Sequence, residues 1–159
     1  MDNSKFNDEE FFILFYNNFK NLCDRINRLE EIEKDTLDHL TYYEIILVQI
    51  RALFIESERD KEKNITVQKY LIQSGHKDIV DEIESFLNLH LSDNLTLRKA
   101  IKTCVDKFIV HYDNTTEEDY KIKELCYLNF TDKSKVHIGS IIKELLEKII
   151  LGQIFKFNN

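Results

Sequence analysis

Lys107 and His111 are the two residues whose types and spacing best suit chemistry on a shared substrate. Residues four apart on a helix can contact each other, so the lysine could hold a phosphate oxygen while the histidine moves a proton. An imidazole suits the role of general base because it titrates near neutral pH. Both residues have a plainer interpretation, the histidine as a structural hydrogen-bonding group at the edge of a core and the lysine as a solvated side chain.

These two residues belong to the stretch TLRKAIKTCVDKFIVHYD, from Thr96 to Asp113, which we predict to be a central helix. At about 100° per residue, one stripe of this helix is apolar, and Thr96 is suited to cap its start. The stripe consists of Ile101, Val105, Phe108 and Tyr112. Cys104 lies on the flank of His111 but roughly 10 Å away along the axis, which is too far for a nucleophile and its base to share a hydrogen bond.

The run VDKFIVHYD, Val105 to Asp113, resembles the signature helix of HEPN-type domains. These are compact helical proteins, often dimeric, of bacterial toxins, abortive-infection systems and CRISPR effectors, and many of them cleave RNA without a metal. Their motif is an arginine, a short spacer and a histidine, frequently with Asp or Asn directly after the arginine. The resemblance matches His111 to the family histidine and Asp106 to the polar residue. Val105 stands where the arginine is expected.

The resemblance implies catalytic roles for His111, Asp106 and Lys107, and substrate binding by Arg51, Lys107 and Tyr112. Lys107 replaces the missing arginine only as a point charge, because a lysine lacks the bidentate fork of a guanidinium. Arg51 is the better candidate, since it lies on the preceding long helix, whereas Arg98 lies on a different side of its helix from His111. Arg51 also has an ordinary interpretation as half of an ion pair. No cofactor and no metal are implied.

Two functions remain open at this level. The first is an RNA-directed protein of bacterial or phage conflict systems, which binds RNA or cleaves it as a metal-independent endoribonuclease. The second is a non-catalytic protein-interaction module, such as an adaptor, an antitoxin-like neutraliser or a phage-encoded inhibitor. The valine at position 105 and the formal net charge of −7 favour the second function. A sequence-blind nucleic-acid coat protein would be basic, so that class is disfavoured. We expect a homodimer in either case.

Composition favours a single helical domain over residues 1–159. The chain is 43 % hydrophobic and 32 % charged, has no proline, and has only three glycines, so helices are seldom interrupted. Its three cysteines and five histidines form no CxxC motif or cluster with metal-ligand spacing, so we predict neither a zinc site nor a disulfide framework. The first residues, MDNSKFNDEE, lack the apolar core of a signal peptide, which favours a cytoplasmic protein without a membrane span.

We predict a mostly α fold, an up-and-down or HEPN-like bundle with a small β-hairpin near the C-terminus. Apolar residues three or four apart predict long helices in the first 54 residues, and Gly75 and Lys77–Leu87 indicate short ones. The hairpin prediction rests on the alternating residues from Leu125 to Phe130 and on the run VHI that follows the turn-like TDKSK. A broad apolar face predicts a last helix near the C-terminus.

Overall fold

A computed structural model of the chain describes residues 8–55, 66–73, 75–110, 114–132 and 138–157. The α-helices in these ranges are α1 (Asp8–Glu31), α2 (Leu37–Phe54), α3 (Val67–Gln73), α4 (Lys77–Leu87), α5 (Leu97–Cys104), α6 (Glu117–Thr131) and α7 (Ile138–Phe157). A π-helix (Val105–Ile109) directly follows α5, and the strands β1 (His90–Ser92) and β2 (Leu95–Thr96) form one antiparallel hairpin. None of these helices is both long enough and apolar enough to cross a membrane.

Helices α1 and α2 form because their apolar residues recur at helical spacing. Along α1 the buried residues are three or four positions apart, as the sequence predicts: Phe15, Phe19, Leu22, Ile26 and Leu29. Thr36 caps the start of helix α2, and its hydroxyl accepts a hydrogen bond from the His39 amide at 3.2 Å. Four of the most completely buried side chains of the protein lie on α2, which makes it a central member of the bundle: Ile46, Leu47, Ile50 and Phe54.

The short helices α3 and α4 are separated by a turn that requires a glycine. Gly75 has φ of +81°, in the left-handed region that side chains other than glycine rarely adopt. The amides of Gly75 and His76 donate to the carbonyls of Ile72 and Leu71, at 3.1 and 2.8 Å, which closes the end of α3. Helix α4 then covers the predicted range from Lys77 to Leu87.

The small hairpin is part of the fold, but it lies between α4 and α5 rather than near the C-terminus. The turn between β1 and β2 contains Asp93 and Asn94, residue types that favour tight turns. The hairpin prediction, which rests on residues 125–130, makes no use of them. Residues 125–130, predicted as a strand, instead lie in α6. The Thr116–Asp119 capping box starts that helix, and a short apolar run fits either structure. Of the run VHI, only Ile138 is among the described residues, and it begins α7.

The predicted central helix is two elements. Thr96 caps α5 as expected, accepting a hydrogen bond from the Lys99 amide at 3.3 Å, and α5 ends at Cys104. The backbone continues as a π-helix, in which the Val110 amide donates to the Val105 carbonyl at 2.9 Å. Val105, the first residue of this π-helix, is buried as predicted. The wider turn rotates the residues that follow it, and Phe108 is only half-buried.

One hydrophobic core connects all seven α-helices, the π-helix and the second strand, so the fold is a mostly α bundle with a small hairpin, as predicted. Helix α7 contributes the apolar face expected of the last helix through Ile142, Leu145, Leu146 and Ile149. The single-domain prediction for residues 1–159 and the predicted homodimer stay predictions.

A polar clamp consisting of Asp35, His39 and Tyr127 joins the start of α2 to α6. The Tyr127 hydroxyl donates to Asp35 Oδ1 at 2.8 Å and lies 3.2 Å from His39 Nδ1. Because the phenol has only one proton to donate, Nδ1 must carry the proton shared with the phenol oxygen. Asp35 has φ of 63°, an unusual value for a residue other than glycine, and its hydrogen bond to Tyr127 helps to hold it there.

We predict that the protein loses stability because of His39 as the pH falls below the ordinary pKa of histidine. Its side chain is 2 % exposed, and burial lowers the pKa of the imidazole below its ordinary value. As the pH falls, the unfolded chain therefore takes up the proton first. The stabilisation is complete above the unfolded pKa and is lost towards the lower folded pKa. Urea unfolding at several pH values will measure this loss.

In this experiment His39→Gln should flatten the pH dependence, because the titrating ring is gone. His90→Gln is the matched control, since His90 is exposed on β1, and it should keep the dependence of the wild type. An unchanged slope in His39→Gln would contradict the prediction.

Candidate functional site

Two of the residues proposed from the sequence, Arg51 and Asp106, meet at the junction of α2 and the π-helix. Arg51 Nε lies 3.5 Å from Asp106 Oδ1, and an Nη1 proton of the same side chain is donated to the carbonyl of Ile55. The arginine side chain is only 15 % exposed, whereas that of Asp106 is 40 % exposed. The arginine therefore closes the end of α2 and carries a carboxylate counter-ion, which weakens its attraction for a phosphate.

The third such residue, Lys107, points to a different helix. Its Nζ donates to Asp119 Oδ2 at 2.9 Å. The same oxygen accepts hydrogen bonds from the amide and the hydroxyl of Thr116, at 2.8 and 2.9 Å. The bond from the Thr116 amide, together with Lys107, lowers the pKa of Asp119 below its ordinary value. Lys107 is thus part of the capping structure at the start of α6.

His111 and Tyr112 lie outside the described residues, so the predicted contact between Lys107 and His111 stays a prediction. The structure does bring the side chains of Arg51 and Asp106 together, so that the cation proposed from α2 lies beside the motif that begins at Val105. It does not bring Arg51 and Lys107 to one carboxylate, because Arg51 pairs with Asp106 whereas Lys107 pairs with Asp119 of α6. π-Helical turns are rare and frequently occur at functional sites.

An aromatic pair with a cation flanks the π-helix on its α6 side. The rings of Phe108 and Tyr120 are 5.2 Å apart and cross at 67°, an edge-to-face arrangement. Lys123 Nζ lies 4.8 Å from the centre of the Phe108 ring. Tyr120 is 57 % exposed. Aromatic rings beside cations are a common surface for stacking unpaired bases.

The thiols near the central helix are unsuited to nucleophilic chemistry. Cys104 is 2 % exposed and Cys126 is completely buried. The hydrogen bond with Cys126, together with burial, raises the pKa of the Cys104 thiol far above its ordinary value. The thiolate is the reactive form, so Cys104 is inert at neutral pH. Among the described residues, no group of three His, Cys, Asp or Glu side chains is arranged to hold a metal ion.

The largest cleft in this region was not identified from the sequence. It has a volume of about 730 Å³ and lies between the end of α2, α3, α4 and the start of α5. We call it the basic cleft because four of the side chains that line it are cationic: Lys69, Arg98, Lys99 and Lys102. Three of the four lie in the first two turns of the predicted central helix, where the sequence shows them as a cluster of basic residues. The fourth comes from α3, so only the tertiary fold completes the cleft.

The basic cleft and the Arg51–Asp106 pair are adjacent. Ile55, whose carbonyl accepts the arginine proton, also lines the cleft. Lys102, another lining residue, precedes Asp106 by four positions, about one helical turn. The region that the sequence identified around Arg51 is therefore continuous with the cluster of cations, although the cluster itself consists of other residues.

We predict that Asp119→Ala lowers the melting temperature more than Glu118→Ala does. Both carboxylates lie in the first turn of α6, but only Asp119 completes the capping box and binds Lys107. Because the pKa of Asp119 is lowered in the folded state, its contribution is present above the ordinary carboxyl range and is lost as the pH falls through the folded pKa. Thermal unfolding at neutral and acidic pH tests both points. Equal melting temperatures for the two variants at neutral pH would show that the capping box contributes nothing.

No protein-family model matches this chain, and the searches of curated proteins and of solved structures also gave no match. The likeness of residues 105–113 to the HEPN signature helix therefore rests on the sequence motif itself.

Proposed function

We propose that this chain is an RNA-binding helical protein of the HEPN-like type found in bacterial and phage conflict systems. The observation that supports RNA binding is the convergence of Lys69, Arg98, Lys99 and Lys102 on one cleft of a chain whose net charge is −7. Positive side chains gathered at one place bind phosphates locally even where the overall charge is negative. The exposed Tyr120, with Phe108 and Lys123, offers a surface on the α6 side of the π-helix on which a base can stack.

The same geometry favours binding over cleavage. The two cations that would hold a scissile phosphate at the motif, Arg51 and Lys107, each have a carboxylate partner within their own chain. A phosphate would have to compete with Asp106 and Asp119 for them. Catalysis by stabilisation of a developing phosphate charge depends on donors that are already arranged for that charge.

A protein-interaction module is the second candidate, and the net charge of −7 is the observation that favours it. An acidic surface attracts a basic partner and repels nucleic acid outside the cleft. The two candidates differ in a simple way, because the interaction module has no affinity for short RNA at low or moderate salt.

For RNA binding, we predict that Lys99→Ala/Lys102→Ala weakens the complex with single-stranded RNA of about 12 nucleotides. Each lysine that contacts a phosphate contributes about 0.7 to the slope of log affinity against log salt for single strands. The double variant should therefore reduce that slope by about 1.4. Electrophoretic mobility shifts at several salt concentrations provide the measurement.

Lys20→Ala/Lys121→Ala is the matched control for this experiment, because it removes the same charge from exposed positions on α1 and α6. We expect its salt slope to remain close to that of the wild type. If the wild type binds no RNA at any of these salt concentrations, the RNA-binding proposal is wrong and the interaction module becomes the favoured function. If both double variants behave alike, the basic cleft is not the RNA site.

For cleavage, we predict that the wild-type protein leaves RNA intact in the presence of a chelator. Denaturing gel electrophoresis of a labelled RNA, incubated with wild type and with His111→Ala, measures this. Cleavage by the wild type that disappears in His111→Ala would establish a metal-independent endoribonuclease with a catalytic histidine, against our expectation.

A further inference from the structure

We propose that a small cavity beside His39 binds a small 2-hydroxy acid such as lactate, with its hydroxyl on the imidazole and its carboxylate on Lys34. This cavity, which we call the His39 cavity, shares no described lining residue with the basic cleft. The proposal therefore does not depend on RNA binding.

The His39 cavity lies where the end of α1 and the start of α2 meet the end of α6 and the start of α7. Its volume is about 50 Å³. A cavity of about 10–15 Å³ holds one water molecule, so this one has room for a ligand of a few non-hydrogen atoms but not for a nucleotide. Four apolar side chains line it and suit the carbon atoms of such a ligand: Ile26, Leu29, Ile32 and Phe130.

The hydrogen bonds of His39 fix which of its ring nitrogens can accept a proton from a ligand. Nδ1 carries the proton shared with the Tyr127 oxygen at 3.2 Å, so the lone pair of the neutral ring lies on Nε2. Burial lowers the pKa of the imidazole, which keeps the ring neutral at pH 7. Burial, together with the hydrogen bond to Asp35, raises the pKa of Tyr127 to about 12, so the phenol retains its proton.

The Nε2 atom of His39 is open to a donor, unlike other unpaired polar atoms of the interior. The Tyr43 hydroxyl and Gln68 Oε1 are enclosed in the protein without a hydrogen-bond partner. Nε2 also has no partner in the described part of the chain, but it keeps accessible surface although the residue is only 2 % exposed. Because His39 lines the cavity, a hydroxyl bound there can donate to Nε2.

Lys34 supplies a positive charge at the mouth of the His39 cavity. Its side chain is exposed, lines the cavity and forms no ion pair with any residue that the structure describes. Glu30 lies at the same mouth, but Lys143 Nζ is 3.2 Å from its Oε1 and offsets its charge. Lys34 thus attracts a carboxylate that enters the cavity.

A 2-hydroxy acid matches all three parts of the His39 cavity. Its carboxylate pairs with Lys34, its hydroxyl donates to His39 Nε2, and its alkyl group packs against the apolar wall. A plain carboxylic acid leaves Nε2 without a donor, and an uncharged amide gains little from Lys34.

The experiment compares lactate with propionate, which lacks the hydroxyl, and with lactamide, which lacks the charge. We expect lactate to bind about tenfold more tightly than either, because each of the others loses one polar contact. Nitrogen-15 NMR of the histidine rings in the full chain measures the three affinities. Lactate should move the His39 Nε2 resonance, whereas Nδ1 should keep its proton.

Two variants assign the effect to the His39 cavity. Lys34→Gln should weaken lactate about tenfold and leave lactamide unchanged, because only the carboxylate uses the charge. Lys20→Gln is the matched control, since Lys20 is exposed on α1 outside the cavity, and it should bind lactate as the wild type does. His39→Leu should bring the affinities for lactate and propionate together. Circular dichroism will verify folding, and Lys34→Gln tests the site if His39→Leu does not fold.

Four results would overturn the proposal. Equal affinities for lactate and propionate would show that no donor reaches Nε2, and equal effects of Lys34→Gln and Lys20→Gln would remove the carboxylate contact. An Nε2 resonance that lactate leaves unchanged would place any binding elsewhere. Inorganic phosphate that binds as tightly as lactate would show that the apolar wall selects nothing.

Discussion

The π-helix at Val105–Ile109 is the constraint on which the arrangement around the motif depends. Within it, Asp106 forms an ion pair with Arg51 of α2, and Lys107 forms one with Asp119 of α6. In an uninterrupted α-helix, these two residues would still diverge by about 100°, but Phe108 would lie with Val105 in the core. The wider turn leaves Phe108 half-buried and available to Tyr120 and Lys123. The same π-helix thus keeps Val105 in the core and places Phe108 at the surface beside Tyr120.

Charge in this protein is unevenly distributed, and the distribution matters more than the total. The net charge of −7 describes the whole chain, whereas the cleft beside α5 is positive. Near the motif, Arg51 and Lys107 lie apart and pair with Asp106 and Asp119, whereas four cations from two helices line the basic cleft. This number of cations at one place is why we assign phosphate binding to the cleft and a supporting role to Arg51. Over distances beyond about 10 Å, salt screens the acidic remainder of the surface from the cleft.

Two buried polar side chains, His39 and Gln68, take part in hydrogen bonds that connect the helices at two places. On one side, the Asp35–His39–Tyr127 clamp joins α2 to α6. On the other, Gln68 contacts both the end of α2 and Glu84 of α4, and Glu84 continues the connection to Arg98 of α5. Each buried polar group must find a partner or destabilise the fold, so such connections fix the relative positions of helices more strictly than apolar contacts do. The walls of the basic cleft are held by the second connection.

The sequence by itself determined that this protein is mostly helical and where several of its helices lie, but it did not predict α6 or the π-helix. Helical spacing of apolar residues, the cap at Thr96, and Gly75 are local signals, and local signals can be read without knowing the fold. The sequence also named Arg51 and Asp106, which lie on different helices and do meet. It misplaced the hairpin, because the apolar run at 125–130 satisfies two periodicities and only packing in the bundle decides between them.

Only the tertiary structure decided the partners of the charged residues. Lys107 pairs with Asp119 twelve positions later, and the basic cleft combines Lys69 of α3 with three cations of α5. Neither association has a sequence signal, since the ends of side chains meet according to how the helices pack. Spacing along a chain determines which face a residue occupies, whereas the chemistry of a site depends on what another element brings to that face.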